Sequence, residues 1–324
     1  MKIAIVGATG KVGSMMMTSI EEFGIDYDTL DLYASAASAG KEIVFNKKKY
    51  IIQNLTKESM KTRYDYILFS AGGTVSREYA PIAAEAGSVV IDNSSAFRRE
   101  ENVPLVVPEI NGDLLKSYQG IIANPNCSTI QMVLILKPLH DYKRIKKVVV
   151  TTLQSVSGAG YKGILELQDQ RKGNIQTKTF PKQIDLNVIP QIGDICDNQY
   201  CEEENKMTYE TQKILNDADF NLVATTVRVP VVYGHSESIF IEFTDDVNLN
   251  EIIHILSNTE SVKYTDDLMT PLDLKESNLS FVSRIRYASD NKSILLWNVG
   301  HNVRLGAATN AVKIMKYHNR ENDN

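Results

Sequence analysis

Cys127 is the residue of this chain best placed for covalent chemistry. It lies in Asn124-Pro125-Asn126-Cys127-Ser128-Thr129, between a strand-like run at 121–123 and an apolar helical stretch at 130–139. That pattern puts the thiol at or next to a helix N-terminus, where the dipole favours the thiolate that attacks carbonyl carbon. Ser128 and Thr129 are good capping residues, so the alternative is a capped helix with an inert thiol. Arg228-Val229-Pro230-Val231 and Gly234-His235-Ser236-Glu237-Ser238 supply further candidates. A strand expected over 222–232 carries Arg228, and Gly234-His235 closes it in a turn. A histidine just past a strand end, with a pKa near working pH, suits a general base. Arg228 can hold a carboxylate or phosphate, or make a surface ion pair. His140, His254, His301 and His318 are expected to be surface or internally satisfied residues.

At the start of the chain, Ile3-Ala4-Ile5-Val6 leads into Gly7-Ala8-Thr9-Gly10-Lys11-Val12-Gly13 and then a helical pattern. Gly7, Gly10 and Gly13 permit a tight turn, close approach to a pyrophosphate, and close packing of helix on strand. The helix start then offers free N–H groups to the anion. A strand before and a helix after are the context this motif requires; a plain turn is the alternative. At the tip of the second strand, 29–33, an NAD site usually carries Asp or Glu for the ribose 2′-hydroxyl. Here the chain continues Ala34-Ser35-Ala36-Ala37-Ser38-Ala39-Gly40-Lys41, with no carboxylate. Ser35 and Ser38 can accommodate a 2′-phosphate, with Lys11 or Lys41 supplying charge, or they form a small-residue turn. A cysteine beside a nicotinamide points to one chemistry. The thiolate adds to an aldehyde, hydride leaves, and a thioester remains; in reverse, an acyl phosphate acylates the cysteine and the thioester is reduced.

The elements that must position these residues fall into two halves. Short apolar runs at 3–6, 66–69, 89–91 and 121–123 alternate with helical segments such as 12–23 and 77–86. This βαβ succession implies a doubly wound α/β domain with a parallel sheet. From about residue 145, longer strands at 146–156, 222–232, 238–244 and 293–299 favour a largely antiparallel sheet with one or two covering helices, at 158–172 and 206–217. Residues 306–318 read as an amphipathic helix, with Ala307, Val312, Ile314, Met315 and Tyr317 as apolar contacts, that packs back onto the first domain. The expected division is a dinucleotide-binding domain of residues 1–126 completed by a C-terminal helix within 304–324, and a catalytic and dimerisation domain of 127–303. The stretch 194–205 is expected to be an exposed excursion. Its Cys196 and Cys201 lack partners with metal-ligand spacing, so they read as loop thiols and no metal site is expected.

Composition narrows the function class. With 35 Lys+Arg against 40 Asp+Glu in 324 residues the net charge is −5, and no basic stripe suggests a nucleic-acid surface. Hydrophobic residues at 43% and charged ones at 23% are globular values. No apolar run approaches the ~18 residues of a membrane span, and MKIAIVGATG runs straight into the glycine loop, unlike a signal peptide. Three cysteines are too few for a disulfide framework, so a reduced, cytoplasmic setting is expected.

Taken in order, the motifs resemble the aspartate-β-semialdehyde dehydrogenase family over essentially the whole chain. They are Gly7-Ala8-Thr9-Gly10 with Val12-Gly13, Phe69-Ser70-Ala71-Gly72, Asp92-Asn93-Ser94-Ser95-Ala96-Phe97-Arg98, Val107-Pro108-Glu109-Ile110-Asn111, Asn124 to Gln131, Gln154-Ser155-Val156-Ser157-Gly158-Ala159-Gly160, and the Arg228 and His235 runs. The resemblance implies a Rossmann-like domain joined to an α+β domain. Cys127 is similar to the family nucleophile, His235 to its acid/base residue, and Gln154 to the residue that orients the carbonyl. Arg228 is similar to the anchor of the substrate α-carboxylate, Glu203 and Lys206 to the pair for amine and phosphate, and Arg98 and Asn126 to phosphate-site groups. The implied cofactor site takes in Gly7, Thr9, Gly10, Lys11, Val12, Gly13, Ser35, Ser38, Ser70, Ala71, Gly72, Ser157, Gly158 and Asn302. The implied reaction is NADPH-dependent reduction of L-aspartyl 4-phosphate to L-aspartate 4-semialdehyde with release of phosphate, a step towards lysine, threonine, methionine and diaminopimelate, in a homodimer or homotetramer. Relatives often carry an arginine where Ala37 stands, so use of NAD as well as NADP is expected. N-acetyl-γ-glutamyl-phosphate reductase shares the chemistry but has glycine before its cysteine and tyrosine-proline after it. An inactive regulatory paralogue usually lacks the cysteine or the histidine, and both are kept here.

Overall fold

The computed structural model describes residues 1–322. The chain divides into two compact units, Met1–Pro125 with the segment from Ala307 on, and Asn126–Gly306. The boundaries lie one to three residues from those expected. Asn126 goes with the helix it caps, and Gly306 packs on Cys127, where an added Cβ would come within 2.8 Å of the Cys127 Cβ.

In the first unit, β1 (Lys2–Val6), β2 (Thr29–Ala34), β5 (Gln53–Asn54), β6 (Tyr66–Phe69), β7 (Val89–Asp92) and β8 (Ile121–Ala123) form one parallel sheet in the order β5-β2-β1-β6-β7-β8. The Lys-rich segment between β2 and β5 forms a separate hairpin of β3 (Glu42–Phe45) and β4 (Lys48–Ile51). Side chains alternate across a strand, and here both faces are covered. Ile3 and Ile5 of β1 pack with Met16 and Ile20 of α1 (Lys11–Glu22) and with Val312 and Met315 of the last helix, Asn310–Asn322. Ala4 and Val6 pack on the other face with Ala80 and Ala83 of α2 (Gly73–Glu85). That helix starts four residues before the expected 77, because Gly72 at φ 85° turns the chain directly into it. Beyond the apolar contacts, polar bonds hold the last helix in place. Lys313 pairs with Glu109 of α3 (Pro108–Asn111) at 2.5 Å, Asn310 donates to Val106 O and Asn124 Oδ1, and His318 joins the Tyr66 hydroxyl to the Tyr118 carbonyl.

The turn from β1 into α1 leaves no room for a side chain. A Cβ at Gly13 would lie 2.3 Å from the Gly7 carbonyl oxygen, a backbone atom that cannot rotate away. Gly13→Ala is therefore expected to destabilise this unit by about 1–3 kcal/mol and to weaken dinucleotide binding, checked by thermal melting and by titration with NADP.

The second unit begins with α4 (Cys127–Tyr142), whose residues Ser128–Leu136 are all buried. Its sheet has the order β10-β9-β11-β14-β13-β12, with β9 Ile145–Gln154, β10 Leu222–Arg228, β11 His235–Phe243, β12 Val262–Tyr264, β13 Ser280–Tyr287 and β14 Ser293–Gly300. The two outer pairings are parallel and the three inner ones antiparallel. Register explains its two faces. Ala224, Val150, Ile239 and Leu296 make one cross-strand row that is wholly buried, on a sheet packed against α4, α6 (Glu202–Leu215) and α7 (Leu249–Ser257). The adjacent row on the opposite face, Val223, Val149, Phe240 and Leu295, stays partly exposed.

Three helices, α4, α6 and α7, pack on this sheet where one or two were expected, and α5 (Tyr161–Arg171) packs on the short helical turn at Val156–Ala159. Two further expectations need correction. Residues 194–205 are not exposed throughout: α6 starts at Glu202 rather than 206, fixed by a capping box in which the Glu204 carboxylate takes the Cys201 N–H at 2.8 Å. Cys201 is accordingly a buried thiol 3.1 Å from the Thr226 hydroxyl, and Cys196 alone remains in the loop. His235 does not lie in a turn after a strand. The preceding strand stops at Arg228, and His235 is itself the first residue of β11, paired with Gly300.

Candidate active site

Each unit gathers its own set of functional groups. In the first, the ends of the neighbouring strands β2, β1 and β6 converge, the place where open α/β sheets bind ligands. Gly7 has φ +86°, and a Cβ there would lie 2.4 Å from Ser70 O, so the glycine turn and the Ser70-Ala71-Gly72 segment are in direct backbone contact. Gly10 caps α1 without any side-chain bond, Gly72 caps α2 likewise, and nothing lies within 4 Å of where a Gly72 Cβ would be. Two helix starts without a side-chain cap, no acidic residue in either first turn, and free space at Gly72 fit a pyrophosphate. Thr9 and Lys11 are exposed on the same loop and Val12 is half-buried. In the turn after β2 the Ser38 N–H donates to Ser35 O, with Ser35 and Ala37 exposed. The carboxylate of β2, Asp31, lies three residues before the strand tip and accepts from Gln53 and the Tyr64 hydroxyl, so it is engaged within the fold.

Arg98 belongs to this unit too. It is buried, its Nε donating to Asn124 O at 2.8 Å and its Nη2 to Asn93 O at 3.2 Å. The loop that carries it is anchored by the buried Asp92, which accepts from the Ser76 and Ser94 hydroxyls.

In the second unit Asn126, Cys127, Glu203 and Lys206 form one set of neighbours and Arg228, His235, Ser157, Gly158 and Asn302 another, linked through the charges that act on Arg228. Cys127 is half-buried as the first residue of α4. Asn126 caps that helix, its Oδ1 accepting from Ser128 N at 2.9 Å and Thr129 N at 3.2 Å. Two buried carboxylates of α6 grip Asn126 in turn: its Nδ2 donates to Glu203 Oε1 at 2.8 Å and its backbone N–H to Glu210 Oε2 at 2.6 Å. Lys206 stands 3.6 Å from Glu203. Arg228, 5% exposed, donates from Nη1 to Ser155 O at 2.8 Å and lies 5.9 Å from the Phe180 ring centre. Burial lowers its pKa, and the charges of Glu203 and of Cys127 as thiolate pull it back, so the three groups act on one another. An Arg228 surface ion pair is excluded.

His235 is completely buried, and its pKa is held well below 6.5, first by burial and then by the Arg228 charge. Its Nδ1 accepts the Ser155 N–H at 3.0 Å. A Cβ on Gly158 would meet Arg228 Nη1 at 2.7 Å and His235 Nε2 at 3.4 Å, so the lack of a side chain there keeps open the space that both groups face. Gln154 is buried at the end of β9, its amide donating to the Thr152 hydroxyl at 3.3 Å. Asn302 Oδ1 accepts from the N–H of Gly234, the residue before His235. Among the described residues no group of three or more His, Cys, Asp or Glu side chains is placed to hold a metal ion, and no helix is long and apolar enough to cross a membrane.

Sequence reasoning missed Glu210, Gln131 and the structural part played by Glu237. Glu210 follows Glu203 at i+7, two turns along one helix face, a spacing that also suits a solvated stripe. Gln131, one turn after Cys127, donates to His235 O at 3.4 Å and so ties the cysteine helix to the histidine strand. Glu237 faces the same interior, accepting from Asn298 Nδ2 at 2.8 Å.

Known families match both halves of the chain. Residues 2–118 match the family model for the semialdehyde dehydrogenase NAD binding domain, and residues 136–305 that for the semialdehyde dehydrogenase dimerisation domain. The aspartate-semialdehyde dehydrogenase of Aquifex aeolicus is 46% identical over 97% of this chain and 96% of its own, and that of Bacillus subtilis 43% identical over 96% and 95%. The crystal structure of aspartate semialdehyde dehydrogenase II complexed with ASA from Vibrio cholerae superimposes with a TM-score of 0.95 at 44% identity, covering 98% of both chains. These relatives favour neither the acetylglutamyl-phosphate reading nor that of an inactive paralogue. The chain belongs to the aspartate-semialdehyde dehydrogenase family.

Proposed function

We propose that this protein reduces L-aspartyl 4-phosphate to L-aspartate 4-semialdehyde with NADPH, releasing phosphate, through a thioester on Cys127. The observation that carries this reading is the cluster in the second unit: a cysteine opening a capped helix, and a buried Arg228 that feels the charges of Glu203 and Cys127 and in turn acts on the buried His235. The Cys127 thiolate attacks the acyl carbon and displaces phosphate. Arg228, rigid and stripped of water, offers a planar fork to the substrate α-carboxylate. Glu203, beside Lys206, takes the substrate amine, while Lys206, Asn126 and Arg98 serve the phosphate. Gln154 orients the carbonyl and His235 acts as the acid/base residue at its oxygen. Gly7, Gly10 and Gly13 with the starts of α1 and α2 would hold the dinucleotide, and Ser35 and Ser38 its 2′-phosphate; when bound, it supplies the hydride.

The lack of a carboxylate at the β2 tip supports NADP, and Ala37 supports additional use of NAD. The partly exposed row of Val223, Val149, Phe240 and Leu295 supports a homodimer, or a tetramer of such dimers, in which that face is covered. The product would feed the synthesis of lysine, threonine, methionine and diaminopimelate in the cytoplasm. The test is phosphate-dependent reduction of NADP by L-aspartate 4-semialdehyde, repeated with NAD. Expected are turnover with both dinucleotides and none without phosphate. A folded protein that binds NADP yet turns nothing over would overturn the reading, and a large preference for NADP over NAD would overturn dual use alone.

A further inference from the structure

Between α5 and α6 the chain runs as irregular backbone with isolated bridge pairs, Ile189 with Arg228 and Ile195 with Cys201. Buried backbone N–H groups in such a segment need acceptors that a strand or helix would otherwise supply. Two buried side chains of α5 supply them. Glu166 Oε2 accepts the N–H groups of Lys178, at 3.0 Å, and of Thr179, and its Oε1 accepts that of Phe180 at 3.4 Å. Gln170, one turn on, takes the Ile184 and Asp185 N–H groups on Oε1, both at 2.9 Å, and donates from Nε2 to Glu166 Oε1 at 3.4 Å. Five backbone donors of residues 178–185 thus converge on two neighbouring side chains of one helix face.

What this segment carries bears on Arg228. The Arg228 backbone N–H donates to Ile189 O at 2.8 Å and its carbonyl accepts the Ile189 N–H at 2.9 Å. The Arg228 guanidinium carbon stands over the Phe180 ring, 5.9 Å from its centre, within cation–π range. Phe180 packs in turn with Val156, Leu167 and Ile184, and a Cβ on Gly163 of α5 would come within 3.0 Å of its Cζ, so the ring is held closely against the helix. With Nη1 engaged by Ser155 O at 2.8 Å, the guanidinium is fixed by one hydrogen bond and one ring. The ring is fixed by Glu166.

We propose that Glu166 and Gln170 are positioning residues for Arg228: by clamping residues 178–185 onto α5 they hold Phe180 against the guanidinium and so set where its fork meets a substrate carboxylate. The link to substrate rests on the reading of Arg228 given above; the clamp does not. A carboxylate suits the task because both of its oxygens only accept, and it meets donors on each. An amide at position 166 has one accepting oxygen, and its NH₂ group would face a donor. Glu166→Gln therefore keeps the shape of the side chain and breaks the clamp. An anchor that must be ordered when the substrate arrives binds its carboxylate more weakly, while the dinucleotide, held by the first unit, is unaffected.

The experiment pairs amide hydrogen exchange with steady-state kinetics on the whole enzyme, as wild type, Glu166→Gln, Phe180→Leu and the double variant. Exchange over residues 176–185 is expected to be about 10-fold faster in Glu166→Gln, with that of α4 unchanged. The KM for L-aspartate 4-semialdehyde is expected to rise about 10-fold in each single variant, with the KM for NADP within about 2-fold of wild type. The double variant is expected to be no worse than the weaker single one, since both substitutions act through one ring. Unchanged exchange overturns the clamp. Faster exchange with an unchanged KM for the semialdehyde, an equal rise in both KM values, or additive effects overturns the link to Arg228. If Glu166→Gln does not fold, Phe180→Leu decides that link by the same split in KM. Absence of turnover in the wild type overturns the functional reading instead. Labelling of Arg228 by phenylglyoxal then decides the link: it is expected to be about 10-fold faster in Phe180→Leu, and an equal rate overturns the proposal.

Discussion

Cys127→Ser is expected to lower turnover by at least about 10⁴-fold, the order seen when a covalent nucleophile is removed, while leaving a folded protein that still binds NADP. The substitution changes one atom. Serine is well tolerated at the start of a helix, and the cap of α4 comes from Asn126 Oδ1, which the change does not touch. What is lost is ionisation. A thiol next to a helix N-terminus and within the field of Arg228 can exist as thiolate at neutral pH, whereas an alcohol there cannot. Activity, thermal melting and NADP titration on the same preparation separate chemistry from folding. Retention of activity within 100-fold of wild type would mean that the thiol is not the nucleophile.

The second large effect concerns stability. Burial pushes the Glu237 carboxyl up to about 8, against the pull of Asn298 and Gln131. In the unfolded chain the same group ionises near its ordinary value of 4.5. Between those two values the native state holds a proton that the unfolded chain has released, so stability falls as pH rises through the window. At 1.36 kcal/mol per pH unit the loss has a ceiling of roughly 4–5 kcal/mol. Glu237→Gln keeps the shape, retains an acceptor for Asn298 Nδ2, and has no proton to lose. It is therefore expected to match wild type near pH 5 and to exceed it by several kcal/mol above pH 8, checked by urea unfolding at both. An equal difference at the two values would show that Glu237 ionises in the fold as it does in the unfolded chain.

Much of the dinucleotide half is legible because parallel strands buried on both faces read as unbroken apolar runs, such as Ile3–Val6 and Tyr66–Phe69. The second half hides more. β13 is broken by Arg284 at φ 56° and by a register shift between Ser283 and Arg286, so its polar pattern does not announce a strand. Gly234-His235-Ser236 reads as a turn from composition. Only the pairing of His235 with Gly300 and of Ser236 with Leu153 makes it the start of β11. Cysteine, arginine and histidine could be picked out by type, since few other side chains do that chemistry. Glu210 could not, because a glutamate on a helix is ordinarily a solvated residue, and its burial comes from the packing of α6 on α4.

The first unit is interrupted in sequence: about 180 residues separate Pro125 from Ala307. On the ribosome, at 5–20 residues per second, this is a delay of roughly 10–40 s. Throughout it, the first 125 residues lack Val312 and Met315, which complete the apolar layer over Ile3 and Ile5. The second unit, continuous in sequence, has its whole chain available before the first does. The nascent protein therefore carries a sheet face covered by α1 alone until the last helix has been made.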